Sequence, residues 1–452
     1  MKRPAHSPAA PAASPAGRPR KAQPGRALEK RPSPTAASPA EVGPPARPGS
    51  LGRRLERRLK RALARVLVRL FRPPPVTARQ VATARVERLL VVRQHNQMGD
   101  MVLALPALRA LRRAYPRARL TFVTAPLCEE LLRDHPDIDE LIVFRKKQMW
   151  RPWELVGFIR RLRRQRPDLA VVMGTVSFST TSALLVRASG APLRVGTTSR
   201  PFGSELSRAV YNLELPLGPE GVHEVEHNLA PLADMGIQAS LELPHLEPSA
   251  QAVQAAAEFL ARVFPASPPA HVTRSVLDAS PPSATQPPPC SAGPLVGVHP
   301  GAGKRANIWP ARHFAAVAGA LREAYGVRVV LTEGPRDADV VSELASRLDG
   351  APRWGARLGD TLGLLAQADL VLSNDTGMAH VAAAVGTPVV VVFGPTDARR
   401  WRPAGDHVWT VLSGTGRIED VAVASVLEAA RAWLDSRGRS NDAKLDRSSS
   451  RS

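Results

Sequence analysis

From residue 86 onward, short apolar runs alternate with longer segments in which apolar residues recur at helical spacing. Runs such as RLLVVRQ (88–94) and PVVVVF (388–393) contain at least four consecutive apolar residues, which is typical of strands buried on both faces of a parallel sheet. An amphipathic segment follows most of these runs, so the pattern predicts α/β units with helices on both sides of a sheet. Strands are predicted at 88–94, 119–125, 141–144, 169–173, 193–196, 295–300, 327–332, 369–373 and 388–393, and helices at 100–114, 153–165, 178–188, 250–264, 310–324, 338–348, 361–368, 376–385 and 418–434.

The alternation occurs twice, which predicts two domains. The first series indicates a Rossmann-like domain at 86–245, and the second indicates another at 295–436. Between them, residues 265–294 are rich in proline and serine, which is typical of a linker enlarged by a disordered insertion. Residues 437–452 are predicted to form a frayed, disordered tail.

The beginning of the chain differs from the rest in composition and charge. Residues 1–50 are rich in proline, alanine, serine and basic residues without periodicity, so they are predicted to be disordered. Residues 1–72 contain eighteen Lys and Arg against three Glu, and therefore hold +15 of the net charge of +22. The basic character belongs mainly to this appendage. Together with an aromatic content of only 4%, this argues against nucleic acid as a partner.

Residues 51–75 combine arginines with apolar residues spaced three or four positions apart, until three prolines end the pattern. This predicts a basic amphipathic helix over 51–72 that lies on an anionic membrane surface. The alternative is a helix that docks on its own protein or is simply a solvated basic face. No apolar run is long enough to span a membrane. The two cysteines, Cys128 and Cys290, favour a reducing compartment.

The stretch VLSNDTGMAH (371–380) joins a predicted strand to a predicted helix. Ligands of parallel α/β sheets bind at the carboxyl ends of strands, where helix N-termini offer N–H groups to phosphate. One interpretation is therefore that its polar residues bind a phosphate: Asp375, Thr376, Gly377 and His380. The other is that Asn374 or Asp375 caps the helix while His380 packs on its face.

Two further turns in the second domain also follow predicted strands. In the turn at 299–310, Gly301 and Gly303 allow the backbone to approach a phosphate, next to the basic residues Lys304 and Arg305. The second turn is FGPTD (393–397), followed by Arg399 and Arg400. Three such turns at one edge of a sheet predict a nucleotide-diphosphate pocket. None matches a Walker loop or a GxGxxG fingerprint, which argues against a P-loop ATPase or an NAD enzyme.

In the first domain, the comparable stretch is RQHNQMGD (93–100), directly after the first strand. Asp100 is predicted to begin a helix that faces the interdomain cleft. A carboxylate at that position could act as a general base for a hydroxyl nucleophile. The alternative, which the spacing alone favours, is an aspartate that caps the helix.

Three blocks together resemble the ADP-heptose:lipopolysaccharide heptosyltransferases of glycosyltransferase family 9: NQMGDMVLALPAL (96–108), VGVHPGAG (296–303), and DTGMAH with FGPTD (375–397). The resemblance covers about 86–436. It implies a GT-B fold, in which two Rossmann-like domains face each other across a cleft, with the acceptor on the N-terminal side and the nucleotide sugar on the C-terminal side. It also implies inverting heptose transfer from ADP-heptose to lipopolysaccharide or another lipid-linked glycan. This reaction would need neither a metal nor another cofactor, and would occur at the cytoplasmic face of the inner membrane.

The resemblance also assigns roles to residues. Asp100 stands where the family has its catalytic base. The donor would be bound by Asp375, Thr376, Gly377 and His380, together with residues of the loop that precedes the helix predicted at 310–324: Gly301, Gly303, Lys304, Arg305 and Asn307. The family usually has a lysine where this chain has Asn307, so either the neighbouring basic residues supply the charge or the donor differs.

The ribose-contacting acid expected from the resemblance is either Asp337 or Asp339. Two alternative functions are a nucleotide-sugar epimerase of the same fold and a non-catalytic protein tethered to membrane or nucleic acid.

Overall fold

The computed structural model describes residues 72–94, 97–174, 178–265 and 293–449, and for 437–449 it describes the backbone alone. The predicted tail at 1–50, nearly all of the predicted basic helix at 51–72, and most of the predicted insertion at 265–294 lie outside the described residues.

Two six-stranded parallel sheets dominate the described part of the chain, which confirms the predicted α/β class. The first sheet has the order β3-β2-β1-β4-β5-β6 and the second β12-β11-β10-β7-β8-β9. Within the first, Leu89 of β1 lies opposite Leu120 and Leu169. The strands are β1 (Arg88–Arg93), β2 (Arg119–Thr124), β3 (Glu140–Val143), β4 (Leu169–Val172), β5 (Leu193–Thr197), β6 (Leu213–Leu215), β7 (Leu295–His299), β8 (Arg328–Thr332), β9 (Arg353–Trp354), β10 (Leu370–Asn374), β11 (Val389–Phe393) and β12 (Val408–Leu412).

Helices connect the strands and cover both sheets. They are α1 (Ala78–Ala82), α2 (Met98–Val102), α3 (Leu105–Ala114), α4 (Glu129–Leu132), α5 (Pro152–Arg164), α6 (Thr180–Ser189), α7 (Leu206–Val210), α8 (Glu224–Ala233), α9 (Ala250–Val263), α10 (Ala311–Tyr325), α11 (Ala338–Arg347), α12 (Leu358–Gln367), α13 (Gly377–Ala384), α14 (Ala398–Trp401) and α15 (Val423–Ser449). Among the described helices, none is long and apolar enough to cross a bilayer.

Two predicted helices differ from the structure. The single helix expected at 100–114 is divided into α2 and α3, because Pro106 stands in the first turn of α3 and cannot continue a helix from the preceding turn. The helix expected at 418–434 begins later and runs to Ser449, so the prediction of a disordered tail from residue 437 is wrong as far as Ser449. No proline interrupts 437–449 and Gly438 is its only glycine, so the helix can continue.

The strands are buried because alternate residues enter different apolar clusters. In β1, Leu89 and Val91 belong to one cluster, whereas Leu90 and Val92 belong to another on the opposite face. The first of these clusters also includes Val389 of β11, in the second sheet. One apolar core is therefore continuous between the two sheets and holds them together.

Both sheets have the same topology. In each, the second and third strands are added on one side of the first strand and the next three on its other side, so the strand order reverses beside the first strand. The reversal falls between β1 and β4 in the first sheet and between β7 and β10 in the second. Crevices at such switch points are the usual ligand sites of open α/β sheets. Here α2 follows β1 and α13 follows β10, and these two helices pack on each other.

Glycines bring α2 and α13 unusually close together. A Cβ atom on Gly377 would lie 2.9 Å from Cβ of Met98 and 3.2 Å from the backbone nitrogen of Gly99. A Cβ on Gly99 would lie 2.9 Å from Cδ2 of His380. The backbones of the two helices therefore meet with no room for a side chain at either glycine.

Replacing Gly377 with alanine should destabilise the protein by about 1–3 kcal/mol, because the added methyl group meets the backbone of α2. The matched control is Gly319→Ala in α10, where a Cβ meets nothing within 4 Å. This control should be neutral or stabilising by about 0.5–1 kcal/mol, since alanine favours a helix more than glycine does. Urea denaturation measures both changes, and equal stabilities of the two variants would contradict the close packing.

Candidate active site

The candidate site lies where α2 and α13 leave the two switch points. Its C-terminal half contains the three turns predicted from the sequence, which follow β7, β10 and β11. Its N-terminal half contains Asp100 in α2. The structure thus brings the two groups of predicted site residues to the same junction.

Asn374 forms hydrogen bonds with the loop after β7 and does not cap a helix. Its side-chain oxygen accepts a hydrogen bond from the backbone N–H of Trp309 at 3.0 Å, and its amide donates to the carbonyl of Pro300 at 2.7 Å. Asn374 is fully buried at the end of β10. Thr376 is the residue that precedes α13, and its side chain does not cap the helix either. The predicted capping role of Asn374 or Asp375 is therefore wrong.

Asp375 joins the three turns through two neighbours. It accepts a hydrogen bond from Nδ2 of Asn307 at 2.9 Å, and it also bonds with Thr396 of the FGPTD turn. Burial raises the pKa of Asp375, and the hydrogen bond from Thr396 and the charge of Lys304 act in the opposite direction. Asn307 is therefore buried where the three turns meet and binds the carboxylate directly.

The glycine loop divides into a buried and an exposed part. Gly301 is buried, whereas Gly303, Lys304 and Arg305 are exposed at the rim. A Cβ atom on Gly301 would overlap the carboxylate of Asp337, so this glycine is required for the loop to approach that residue. The two basic side chains are consequently free to meet an anion that enters from solvent.

Of the two candidate acids after β8, Asp337 is the one that lies at the pocket. Its Oδ2 accepts a hydrogen bond from the backbone N–H of Gly334 at 3.0 Å and lies 4.0 Å from Nε2 of His299. Burial lowers the pKa of His299, although the charge of Asp337 opposes that shift. Asp339 is exposed in the first turn of α11.

Asp100 is the third residue of α2, and Gln97 is the residue that precedes this helix. The interpretation of Asp100 as the helix-capping residue is therefore wrong, as is its predicted position at the start of the helix. The carboxylate is half-buried, and its charge acts on the buried guanidinium of Arg93.

Arg93 fixes the backbone at Asp100. Its Nη2 donates to the carbonyl of Asp100 at 3.0 Å, and its Nη1 donates to Oδ1 of Asn228 at 3.1 Å and to the carbonyl of Gly174. Burial lowers the pKa of Arg93, and the charges of Asp100 and Glu224 oppose this shift. A fully buried cation thus anchors α2 to the ends of β1 and β4 and to α8.

His380 lies at the contact between the two helices. It is buried, its ring packs against Gly99, and burial lowers its pKa to about 3, with a smaller contribution from His223. The imidazole is therefore neutral at pH 7. Its Nδ1 has no hydrogen-bond partner among the described residues.

Residues at the start of α8 form hydrogen bonds with residues that follow β11 in the second sheet. Both Nε and Nη2 of Arg400 donate to Oε2 of Glu224, at 3.0 and 2.9 Å. Nδ1 of His223 accepts from the N–H of Val225, so its Nε2 donates to the carbonyl of Arg402 at 2.9 Å. One turn further along α8, Asn228 binds Arg93. This helix therefore connects the FGPTD side of the pocket to the anchor of Asp100.

The model of the family described as glycosyltransferase family 9 (heptosyltransferase) matches residues 155–430, more than half of the chain. The chain belongs to glycosyltransferase family 9. Its curated relatives include lipopolysaccharide heptosyltransferase 3 of Escherichia coli, which is 27% identical over 71% of this chain and 87% of the relative.

Solved structures of family 9 proteins support the same fold. A family 9 glycosyltransferase from Veillonella parvula aligns with a TM-score of 0.64 and 21% identity, over 77% of this chain and 97% of its own. The ADP-heptose lipopolysaccharide heptosyltransferase II of Escherichia coli aligns with a TM-score of 0.61 and 23% identity, over 78% of this chain and 99% of its own. The chain is thus a glycosyltransferase with the GT-B fold, and family membership favours this over the epimerase and the non-catalytic alternatives.

The sequence-based prediction for this family 9 enzyme missed three residues that shape the site, Arg93, Glu224 and Asn228, and considered Asn374 only as a helix cap. Arg93 carries a recognisable signal, since it is a charged residue that directly follows four apolar residues at the carboxyl end of β1. The pair Glu224 and Asn228 is spaced four apart at the start of a helix, which places both on one face.

The ion pair between Arg400 and Glu224 allows a matched test in this glycosyltransferase. Glu224 is 1% exposed, so Arg400→Met leaves a buried carboxylate without its partner and should destabilise the protein by about 3 kcal/mol. Arg399→Met is the control, because that side chain is 95% exposed and should change stability by less than about 0.5 kcal/mol. Urea denaturation gives both values. A loss of stability of the same size in both variants would mean that the ion pair is not what stabilises this region.

Proposed function

We propose that this family 9 glycosyltransferase transfers a heptose, or a closely related sugar, from a nucleotide sugar to a lipid-linked glycan with inversion. ADP-heptose is the proposed donor, and the core of lipopolysaccharide is the proposed acceptor. The observation that carries the proposal is the contact between α2 and α13, because it places the carboxylate-bearing helix beside the pocket formed by the three turns. The names of the relatives, which specify lipopolysaccharide and ADP-heptose, support this choice of substrates.

In the proposed reaction, a hydroxyl oxygen of the acceptor attacks the anomeric carbon of the donor sugar. The bond from that carbon to the β-phosphate oxygen breaks, and ADP leaves with the bonding electrons. Asp100 accepts the hydroxyl proton as a general base. A single displacement inverts the anomeric centre. Arg93 holds the backbone of Asp100, so the base is positioned by a buried cation that does not itself touch the substrate.

The donor is proposed to bind at the C-terminal half of the site. The start of α13 directs the positive end of a helix dipole toward the diphosphate, and uncapped N–H groups there favour anions. The residues proposed for this role are Asp375, Thr376, Gly377 and His380, with Gly301, Gly303, Lys304 and Arg305 from the loop. Asn307 is occupied with Asp375, so Lys304 and Arg305 supply the charge that the family takes from a lysine at that position.

The proposal includes the ribose contact and the absence of a cofactor. Asp337 is assigned to the ribose hydroxyls, since it lies against Gly301 while Asp339 faces solvent. Charge on the departing ADP is stabilised by the helix dipole and the basic loop, without a metal or another cofactor.

A lipid-linked acceptor implies that the enzyme works at a membrane surface. We assign it to the cytoplasmic face of the inner membrane as a peripheral protein. The basic helix predicted at 51–72 is the proposed attachment to anionic lipid, and it remains a prediction because it lies almost entirely outside the described residues.

Replacing Asp100 with asparagine should lower the rate of transfer at least about 100-fold, because the acceptor hydroxyl loses its base. The dissociation constant of ADP should change less than about 3-fold, since Asp100 belongs to the other half of the site. Transfer is measured as ADP release from ADP-heptose with heptose-deficient lipopolysaccharide as acceptor, and ADP binding by calorimetry.

Asp339→Asn is the matched control, because Asp339 also stands in the first turn of a helix but faces solvent. It should retain wild-type transfer and ADP binding. If Asp100→Asn were as active as this control, Asp100 would not be the base. If the wild type bound ADP but transferred no heptose, the proposed donor sugar or acceptor would be wrong.

A further inference from the structure

Two tryptophans near the end of β3 are exposed to solvent. Trp150 is 87% exposed and Trp153 is 68% exposed. The five other tryptophans of the chain are buried or half-buried. Large indole side chains are costly to leave in water, so a pair of them on one surface indicates an interaction site.

The two tryptophans are held on a well-packed element. On the opposite side of α5, Phe158 and Leu162 enter the apolar core, and the Phe158 ring meets that of Phe144 at 5.2 Å between centroids. Met149, between the end of β3 and α5, also packs on this core. Trp150 and Trp153 are therefore exposed because they lie on the solvent side of a segment whose other side packs on the core.

The outward side of α5 is both apolar and basic. At 100° per residue, Trp153, Val156, Arg160 and Arg164 fall on one face. Residues 145–166 contain nine Lys and Arg and a single acidic residue, Glu154. Some of these cations have partners, such as Arg145 with Glu129.

Five further cations follow or precede the tryptophans in this segment. Within the described residues, no ion pair is formed by Lys146, Lys147, Arg151, Arg160 or Arg164. Glu154 is half-buried and leaves the outward charge strongly positive. This surface, defined by the five cations with Trp150, Trp153 and Val156, is named the tryptophan face.

We propose that the tryptophan face docks on a bilayer surface that contains anionic lipid. Indole rings favour the headgroup level, where one side is apolar and the other is wet. Lys and Arg extend their charged ends to lipid phosphates while their methylene chains lie along the apolar boundary. The relevance to catalysis rests on the proposed function, because a lipid-linked acceptor is presented at such a surface.

The position of the face in the fold agrees with this role. Strands β1, β2 and β3 are parallel neighbours, so their carboxyl ends share one edge of the sheet. The segment with Trp150 follows β3 at that edge, and α2 with Asp100 follows β1 at the same edge. The tryptophans therefore lie at the same edge of the first sheet as Asp100.

A bilayer fits the face better than a single-stranded nucleic acid, although both would be attracted by positive charge. Nucleic-acid sites of this kind are basic grooves in which bases stack on successive aromatic rings. Here the tryptophans are accompanied by the exposed aliphatic residues Leu155 and Val156, which offer no stacking surface. The outer face of a helix also provides no groove that could follow a strand.

The test uses the full-length protein and vesicles made of equal parts of phosphatidylcholine and phosphatidylglycerol. Lipids with brominated acyl chains should quench the fluorescence of the wild type, because Trp150 and Trp153 enter the membrane interface. Trp150→Ser/Trp153→Ser should lose this quenching and bind vesicles on the order of 10-fold more weakly by sedimentation. Both positions are exposed, so the fold is retained, which thermal unfolding verifies.

The matched control is Leu241→Ser/Leu243→Ser. It removes two apolar residues between α8 and α9 that are 65% and 56% exposed and lie outside the tryptophan face. Brominated lipid should quench the fluorescence of this variant as it does that of the wild type, and the variant should sediment with vesicles to the same extent. The quenching reports on the tryptophan face itself, so binding through residues 51–72 cannot imitate it.

Several outcomes would overturn the proposal. The first is that brominated lipid does not quench the fluorescence of the wild type. The second is that the control variant loses as much vesicle binding as the tryptophan variant. The third is that the protein prefers a single-stranded oligonucleotide to vesicles and that this preference depends on the two tryptophans. Self-association that disappears in Trp150→Ser/Trp153→Ser, without quenching by lipid, would instead identify a second copy of the chain as the occupant. If heptose transfer failed while quenching persisted, the proposed function would be wrong and the docking surface would stand.

Discussion

The structure depends on the close contact between α2 and α13. Each helix leaves the switch point of its own sheet, and Gly99 and Gly377 allow their backbones to touch. One apolar core continues across the same junction. Two sites that would otherwise belong to separate sheets are thereby combined. The helix that carries Asp100 lies beside the turns proposed to bind phosphate, which is the arrangement that a transfer between two substrates requires.

Hydrogen bonds to two buried charged groups reinforce this contact. Arg93 has three hydrogen-bond acceptors around it, and Glu224 receives two hydrogen bonds from Arg400. Burying an unpaired charge would cost several kcal/mol, so these pairs favour one relative arrangement of the two sheets over others. Through Asn228 and Glu224, α8 contacts both Arg93 and Arg400, so it links the second sheet to the residue that binds the backbone of Asp100. The neutral His380 ring fits the same junction without adding a charge that would require compensation.

Sequence patterns predicted the parts of the fold and site that depend on local residues. Nine of the strands were predicted from apolar runs, whereas β6, β9 and β12 were missed, because they are short or only half-buried and lack that signal. The three turns of the pocket were predicted because each is a local strand-to-helix junction. The bonds between Arg93 and Asn228, 135 residues apart, and between Glu224 and Arg400, 176 apart, depend on tertiary packing and leave no local pattern. The same applies to Asn374, whose predicted role as a cap was replaced by bonds to a loop 74 residues earlier.

In the proposed reaction, the nucleotide binds at the start of α13, across the junction from Asp100. A crystal structure of the enzyme with ADP tests this most directly. We expect the diphosphate within hydrogen-bond distance of the backbone N–H groups at Thr376 and Gly377, with Lys304 or Arg305 turned toward it and the ribose beside Asp337. ADP bound on the first sheet, or away from the three turns that meet at Asp375, would contradict the account.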